Sequence, residues 1–126
     1  MKLYIEFDRK KILIAEVRKN EVVYLHDESY PDPELFSHPR VLIPHFNPAE
    51  EYLRDLIFER VFNSFLSRLT NKHCVVNLLE EDLEGGITDS DKRAISELFL
   101  RIGMHSVHVI SDKNISKDEI LNLKYS

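Results

Sequence analysis

Acidic residues sit where chemistry could use them. Glu6 and Asp8 close the apolar run KLYIEF, Glu80, Glu81 and Asp82 follow HCVVNLL, and Asp112 and Asp118 come after HSVHVI. Carboxylates gathered from the ends of neighbouring strands could hold two metal ions about 4 Å apart and hydrolyse a phosphodiester. A metal-dependent nuclease also needs a basic groove for its substrate. The formal charge is −5, with 17 basic against 22 acidic residues, and no groove is visible in the sequence. Acids at strand ends also arise simply as solvated loops. Arg9, Lys10 and Lys11 could grip a phosphate, but such a cluster is more often a solvated turn. Gly85-Gly86 reads as a turn entering a helix. Of the six histidines, His105 and His108 are three apart on a strand and point to opposite faces. His26, His38 and His45 lie in or near a proline-rich segment, and we expect surface or loop histidines there, not a zinc set. Cys74 is alone, so no internal disulfide can form; in its apolar setting it reads as a small buried hydrophobe. No residue is assigned a catalytic, cofactor-binding or metal-binding role.

The elements that would position these groups are legible. A length of 126 residues fits one domain over 1–126. KLYIEF alternates, with Leu3, Ile5 and Phe7 one way and Tyr4 and Glu6 the other: a half-buried strand. KILIAEV follows across the tight turn DRK, and VVYLH follows RKNE, where Asn20 suits a left-handed turn position. Residues 27 to 46 carry four prolines, Pro31, Pro33, Pro39 and Pro44, and form a connection with at most one short strand, RVLI. Asn47 can cap a long helix, with Pro48 at its first position and Glu50 completing a capping-box spacing. Its stripe of Leu53, Ile57, Val61 and Phe65, widened by Leu56, Phe58, Phe62, Leu66 and Leu69, predicts a helix to about Leu69. HCVVNLL is a buried strand. Thr88 caps a second helix with Asp91 three residues on; Ile95, Leu98, Phe99 and Ile102 form its buried stripe, and Gly103 its left-handed stop. HSVHVI is a strand, and SKDEILNLKY a last helix capped by Ser116. The order is β-β-β-α-β-α-β-α. Two right-handed crossovers then place five strands in one mixed α/β sheet of order 3-2-1-4-5, with helices on its faces: a ribonuclease-H-like fold.

One segment is more specific than the topology. GGITDSDKRAISELFLRIGMHSVHVI resembles a segment of bacterial actin-like proteins of the rod-shape-determining kind, in the actin, sugar kinase and heat-shock ATPase superfamily. Gly86, Ile87, Thr88, Asp89, Arg93, Ala94, Gly103, Val107 and Ile110 fit that family's pattern. The likeness covers about 25 residues by motif and the rest by topology. It implies the first subdomain, IA, of an actin-like ATPase. The same likeness shows what is missing. Where the family has a glycine- and hydroxyl-bearing phosphate loop after the first strand, this chain has Glu6-Phe7-Asp8-Arg9-Lys10-Lys11, with no glycine to admit a phosphate to the backbone. The second phosphate loop and adenosine pocket belong to a half that this sequence does not contain.

The expectation is therefore a non-catalytic actin-like module acting through protein contacts, with a cytoskeletal filament or cell-shape machinery as the implied setting. A metal-dependent nuclease of the ribonuclease-H-like class is the alternative, and nucleotide binding without turnover a further one. No cofactor is expected, ATP least of all, and no nucleic acid. A protein partner or a homo-oligomer is expected instead. The first helix carries Phe58, Phe62 and Phe65 beyond what one face buries; the simpler reading is a sandwiched helix, the sharper one an interface. No run approaches the roughly 18 apolar residues of a membrane helix, and MKLYIEFDRKK is too short and charged for a signal peptide. A cytoplasmic protein is the expectation.

Overall fold

The structure is a computed structural model, and it describes residues 1–32, 46–79 and 87–125. Its strands are β1 (Lys2–Phe7), β2 (Lys11–Val17), β3 (Val22–Ser29), β4 (His73–Leu78) and β5 (Ser106–Ile110). They form one five-stranded sheet of order β3-β2-β1-β4-β5. β1 runs antiparallel to β2 and parallel to β4; β2 and β3 are antiparallel, β4 and β5 parallel. This is the mixed ribonuclease-H-like arrangement that the sequence predicts. The expected strand RVLI lies outside the described residues.

Alternation along the strands sorts the core into two layers. Leu3, Ile5, Phe7, Ile12, Ile14, Cys74, Val76 and Leu78 face α1 (Phe46–Arg60) and α3 (Asp89–Ile102). Leu53, Leu56 and Ile57 of α1, and Ile95, Leu98 and Phe99 of α3, complete that layer. Tyr30 folds back from the end of β3 onto Phe7, ring centroids 6.2 Å apart, and meets Tyr52 of α1 edge-on. The second face of the sheet is buried too. Tyr4, Leu13, Ala15, Val17 and Val75 pack with Ile120 of α4 (Lys117–Leu121) and with Tyr125. β1 is therefore buried on both faces rather than half-buried, because the C-terminal segment returns to cover Tyr4, which is 1% exposed.

Four local expectations change. β3 runs to Ser29, so the connection starts later than residue 27. Asn20 does not take a left-handed conformation; among the described residues only Gly103 has positive φ. The last helix ends at Leu121, where Asn122 caps it, and the tail continues to Tyr125, whose Oη donates to the Ile120 carbonyl at 2.7 Å. The first long helix begins at Phe46, with Asn47 inside its first turn, and stops at Arg60. A separate α2 (Phe65–Leu69) follows. The apolar period continues through this break, so it hides the stop. The stop comes from Ser64: its Oγ accepts the Ser67 N–H at 3.2 Å, and Ser67 Oγ accepts the Ser64 N–H at 3.1 Å. A reciprocal cap of that kind starts a new helix.

α3 matches expectation at both ends. Thr88 Oγ1 accepts the Asp91 N–H at 3.2 Å, and Asp91 Oδ2 accepts the Thr88 N–H at 2.8 Å. Gly103 stands at φ 128°. A Cβ there would meet Phe62 Cζ at 3.6 Å, an ordinary contact, so the demand for glycine is conformational. We expect Thr88→Ala to cost about 1 kcal/mol and Gly103→Val about 1–3 kcal/mol, both measured by urea unfolding. Equal stability of Gly103→Val and the parent would contradict the cap geometry.

Candidate functional site

In open α/β sheets, ligands sit beyond the carboxyl ends of the parallel strands. Here that region holds Glu6 on β1, Asn77 on β4 and Asp112 just after β5, with Glu6 and Asn77 paired in register. The groups are bonded to one another. Tyr4 Oη donates to Glu6 Oε2 at 2.6 Å and accepts from Asn77 Nδ2 at 3.0 Å. Asn77 Nδ2 also donates to the Asp112 carbonyl at 2.8 Å, and Asn77 Oδ1 accepts the Asp112 N–H at 2.9 Å. Ser111 Oγ donates to the Leu78 carbonyl at 2.9 Å, and Asp112 Oδ1 accepts the Asn114 N–H at 3.1 Å. Asn77 is fully buried, so each of these bonds offsets the cost of burying its amide. Its work is to tie the end of β4 to the chain leaving β5. Burial raises the Tyr4 phenol well above its ordinary pKa, so Tyr4 stays a donor to Glu6.

The turn between β1 and β2 is closed in the same way. Asp8 Oδ1 accepts the N–H groups of Lys10 at 2.7 Å and Lys11 at 2.8 Å. Tyr30 Oη donates to the Asp8 carbonyl at 2.8 Å, and the Tyr30 N–H donates to the Lys10 carbonyl at 2.9 Å. Successive backbone N–H groups of this kind can hold an anion. The side chain of Asp8 already supplies one. A phosphate oxygen would have to displace it and would meet its negative charge.

The candidate metal ligands do not assemble among the described residues. No group of three or more His, Cys, Asp or Glu there could hold a metal ion. Asp8 is committed to its turn, and Asp118 lies in the first turn of α4. Glu80, Glu81, Asp82, Gly85, Gly86, His38 and His45 lie outside the described residues. His108 is exposed on β5, while His105 precedes that strand, its ring centroid 6.1 Å from that of His73. Cys74 is fully buried, and burial pushes its thiol up to about 12, which leaves it inert as a nucleophile.

His26 departs from the surface position expected of it. It lies in β3, 8% exposed, and among the described residues neither ring nitrogen has a hydrogen-bond partner. Burial lowers its pKa; the nearby Arg60 lowers it further, against the opposing carboxylates of Glu28, Asp27 and Glu59.

Apolar groups remain on the helical side. Phe58 is 46% exposed, Leu100 44% and Leu69 67%. The sandwiched-helix reading fails for Phe58, which stacks on Phe62 with ring centroids 5.1 Å apart and turns outward. Lys72, 1% exposed, lies under the Phe62 ring with Nζ 4.1 Å from its centroid and donates to the Ser67 and Thr70 carbonyls. Burial lowers its pKa.

Sequence reasoning missed Asn77, Lys72 and Leu100. A lone asparagine inside CVVNLL was a usable signal, since a polar group in a buried strand must be bonded. Leu100 is the apolar residue off the stripe of α3, and so was also readable. Nothing in the sequence marks Lys72 as buried.

No protein-family model matches this sequence, and no curated protein shows significant similarity to it.

The buried histidine gives a pH test. With its pKa lowered in the folded state, His26 binds fewer protons folded than unfolded below its ordinary value of about 6.5, so stability falls as pH drops through that range. Between about pH 7.5 and about 5.5 the parent should lose more unfolding free energy than His26→Leu. Parallel losses would show that His26 is not the linked group.

Proposed function

We propose that this chain is a non-catalytic actin-like module that acts through protein contacts in the cytoplasm. One observation carries this reading. The backbone amides of the β1–β2 turn, where a phosphate would have to enter, are occupied by the carboxylate of Asp8. The strand-end polar groups are likewise spent on one another through Tyr4 and Asn77. Among the described residues, the large apolar side chains left exposed are Tyr24 on β3 and Phe58, Leu69 and Leu100 on the helices. An exposed aromatic surface fits association better than turnover.

The actin-like assignment rests on the resemblance of residues 85 to 110 and on the sheet order. It suggests a cytoskeletal filament or the cell-shape machinery as the setting. No helix of the described residues is long and apolar enough to cross a membrane.

Titration calorimetry with millimolar Mg-ATP should give no saturable heat. A micromolar affinity would overturn the reading. A photo-crosslinking residue placed at position 58 should capture a discrete protein in cells, while one at exposed Lys124 should not. Equal capture from both positions would count against an interface on the helical side.

A further inference from the structure

We infer that the second half of β3 is a proton-operated catch: when His26 takes up a proton, the segment from His26 to Ser29 swings away from β2 and α1 while the rest of the sheet stays closed.

His26 owes its burial to an irregularity. β2 and β3 pair with Ala15 opposite Tyr24 but with Ile14 opposite His26, so Leu25 has no partner across the ladder. A bulge of this kind re-aims the residues beyond it. In an unbroken ladder Leu25 would stand opposite Ile14, and His26 would fall to the other face. The bulge turns His26 to the face of Ile14, which is the face that α1 covers. There it is 8% exposed, and among the described residues neither ring nitrogen has a hydrogen-bond partner. A neutral imidazole is tolerated in such a place; a charged one is not.

The groups around the ring oppose a proton in the closed position and favour it in the open one. On β2 stand Ile12 and Ile14, both fully buried and apolar. From α1 come Glu59 and Arg60, and from β3 Asp27 and Glu28. The Arg60 cation repels an imidazolium, and its Nε is also buried with no hydrogen-bond partner among the described residues. Asp27 is shared with Lys11 at 3.5 Å, whereas Glu28 and Glu59 are exposed. An imidazolium that reached water beside Glu28 and Glu59 would keep their attraction and escape the cost of burial.

The segment is built to move alone. β3 is an edge of the sheet, with β2 its one neighbour among the described strands. The bulge interrupts the ladder on one side of His26. At the other end Tyr30 is fixed, its N–H donating to the Lys10 carbonyl and its Oη to the Asp8 carbonyl. Asp27, Glu28 and Ser29, between these two points, are all exposed. Segments with so few buried contacts open at the lowest free energy. β1 and β4 have a neighbour on each side.

Amide exchange of the full chain, read residue by residue by NMR, tests the catch. Counting back from the Tyr30–Lys10 bond, the His26 and Glu28 amides point toward β2. Corrected for intrinsic exchange, their protection should fall about tenfold between about pH 7.5 and about pH 5.5, as expected when only the open form binds a proton with the ordinary pKa of about 6.5. Low urea should leave exchange at these two positions unchanged, because little surface opens, and should speed exchange in β1 and β4, which needs global unfolding. In His26→Leu the fall with pH should vanish; if that variant does not fold, His26→Phe replaces it with the same expectation. The ring signals of His26 in the parent give a reading that needs no substitution: they should remain those of a neutral imidazole at about pH 6.5, where a free histidine is half protonated. A ring half protonated at that pH with the His26 and Glu28 amides still protected would overturn the inference. So would protection that does not change with pH, a fall that persists without His26, or β3 amides that follow those of β1 and β4 in protection and in urea dependence.

Discussion

Burial of β1 on both faces organises the whole molecule. Leu3, Ile5 and Phe7 demand a layer on one side, and α1 and α3 supply it. Tyr4 demands cover on the other, and among the described residues α4 and Tyr125 provide it. Each fully buried apolar side chain contributes roughly 1.5–3 kcal/mol, so neither layer can be dropped. Because β1 is also the central strand, bonded to β2 on one side and β4 on the other, the first residues of the sequence cannot reach their final state before the last ones return. Ser106 Oγ, donating to the Tyr125 carbonyl at 2.9 Å, fastens that return to the edge of the sheet.

The same economy governs the polar groups. At the carboxyl ends of the strands, where a sheet of this kind would meet a ligand, the side chains are turned to structural work. Asp8 closes its own turn, Asn77 bridges β4 to the segment after β5, and Tyr4 holds Glu6. Tyr4 and Asn77 are buried, and a buried hydrogen-bonding group with a good partner is expensive to expose, so these two are poorly placed to exchange partners for a ligand. The opposite holds on the helical side. There Phe58 and Leu100 stay in water although the cores of α1 and α3 are well filled.

Some of this could be read from the sequence because it was local. Thr88, Asp91 and Gly103 each carry a helix-end signal within a few residues, and all three do what those signals say. The sheet order followed from the succession of elements and the handedness of crossovers. What could not be read was non-local or competed with a stronger pattern. The burial of Tyr4 depends on Tyr125, at the other end of the chain. The break after Arg60 was masked by an apolar period that runs on through it, while the Ser64–Ser67 cap overrode the period. His26 belongs to the predicted strand VVYLH, but its neighbours Glu59 and Arg60 come from α1, far along the sequence. For Asp8, the missing glycine was visible and the reason was not: an aspartate two and three residues before free N–H groups is an Asx-type turn former, and this one fills the amides that glycine would have left open.

The central claim is that Asp8, and not an external anion, occupies the turn amides. Amide hydrogen exchange of Lys10 and Lys11, read residue by residue by NMR, tests it most directly. The account predicts protected amides at both positions in the parent protein and marked loss of protection in Asp8→Ala, with the β1 and β4 amides unchanged. Equal exchange at Lys10 and Lys11 in the two proteins would contradict it.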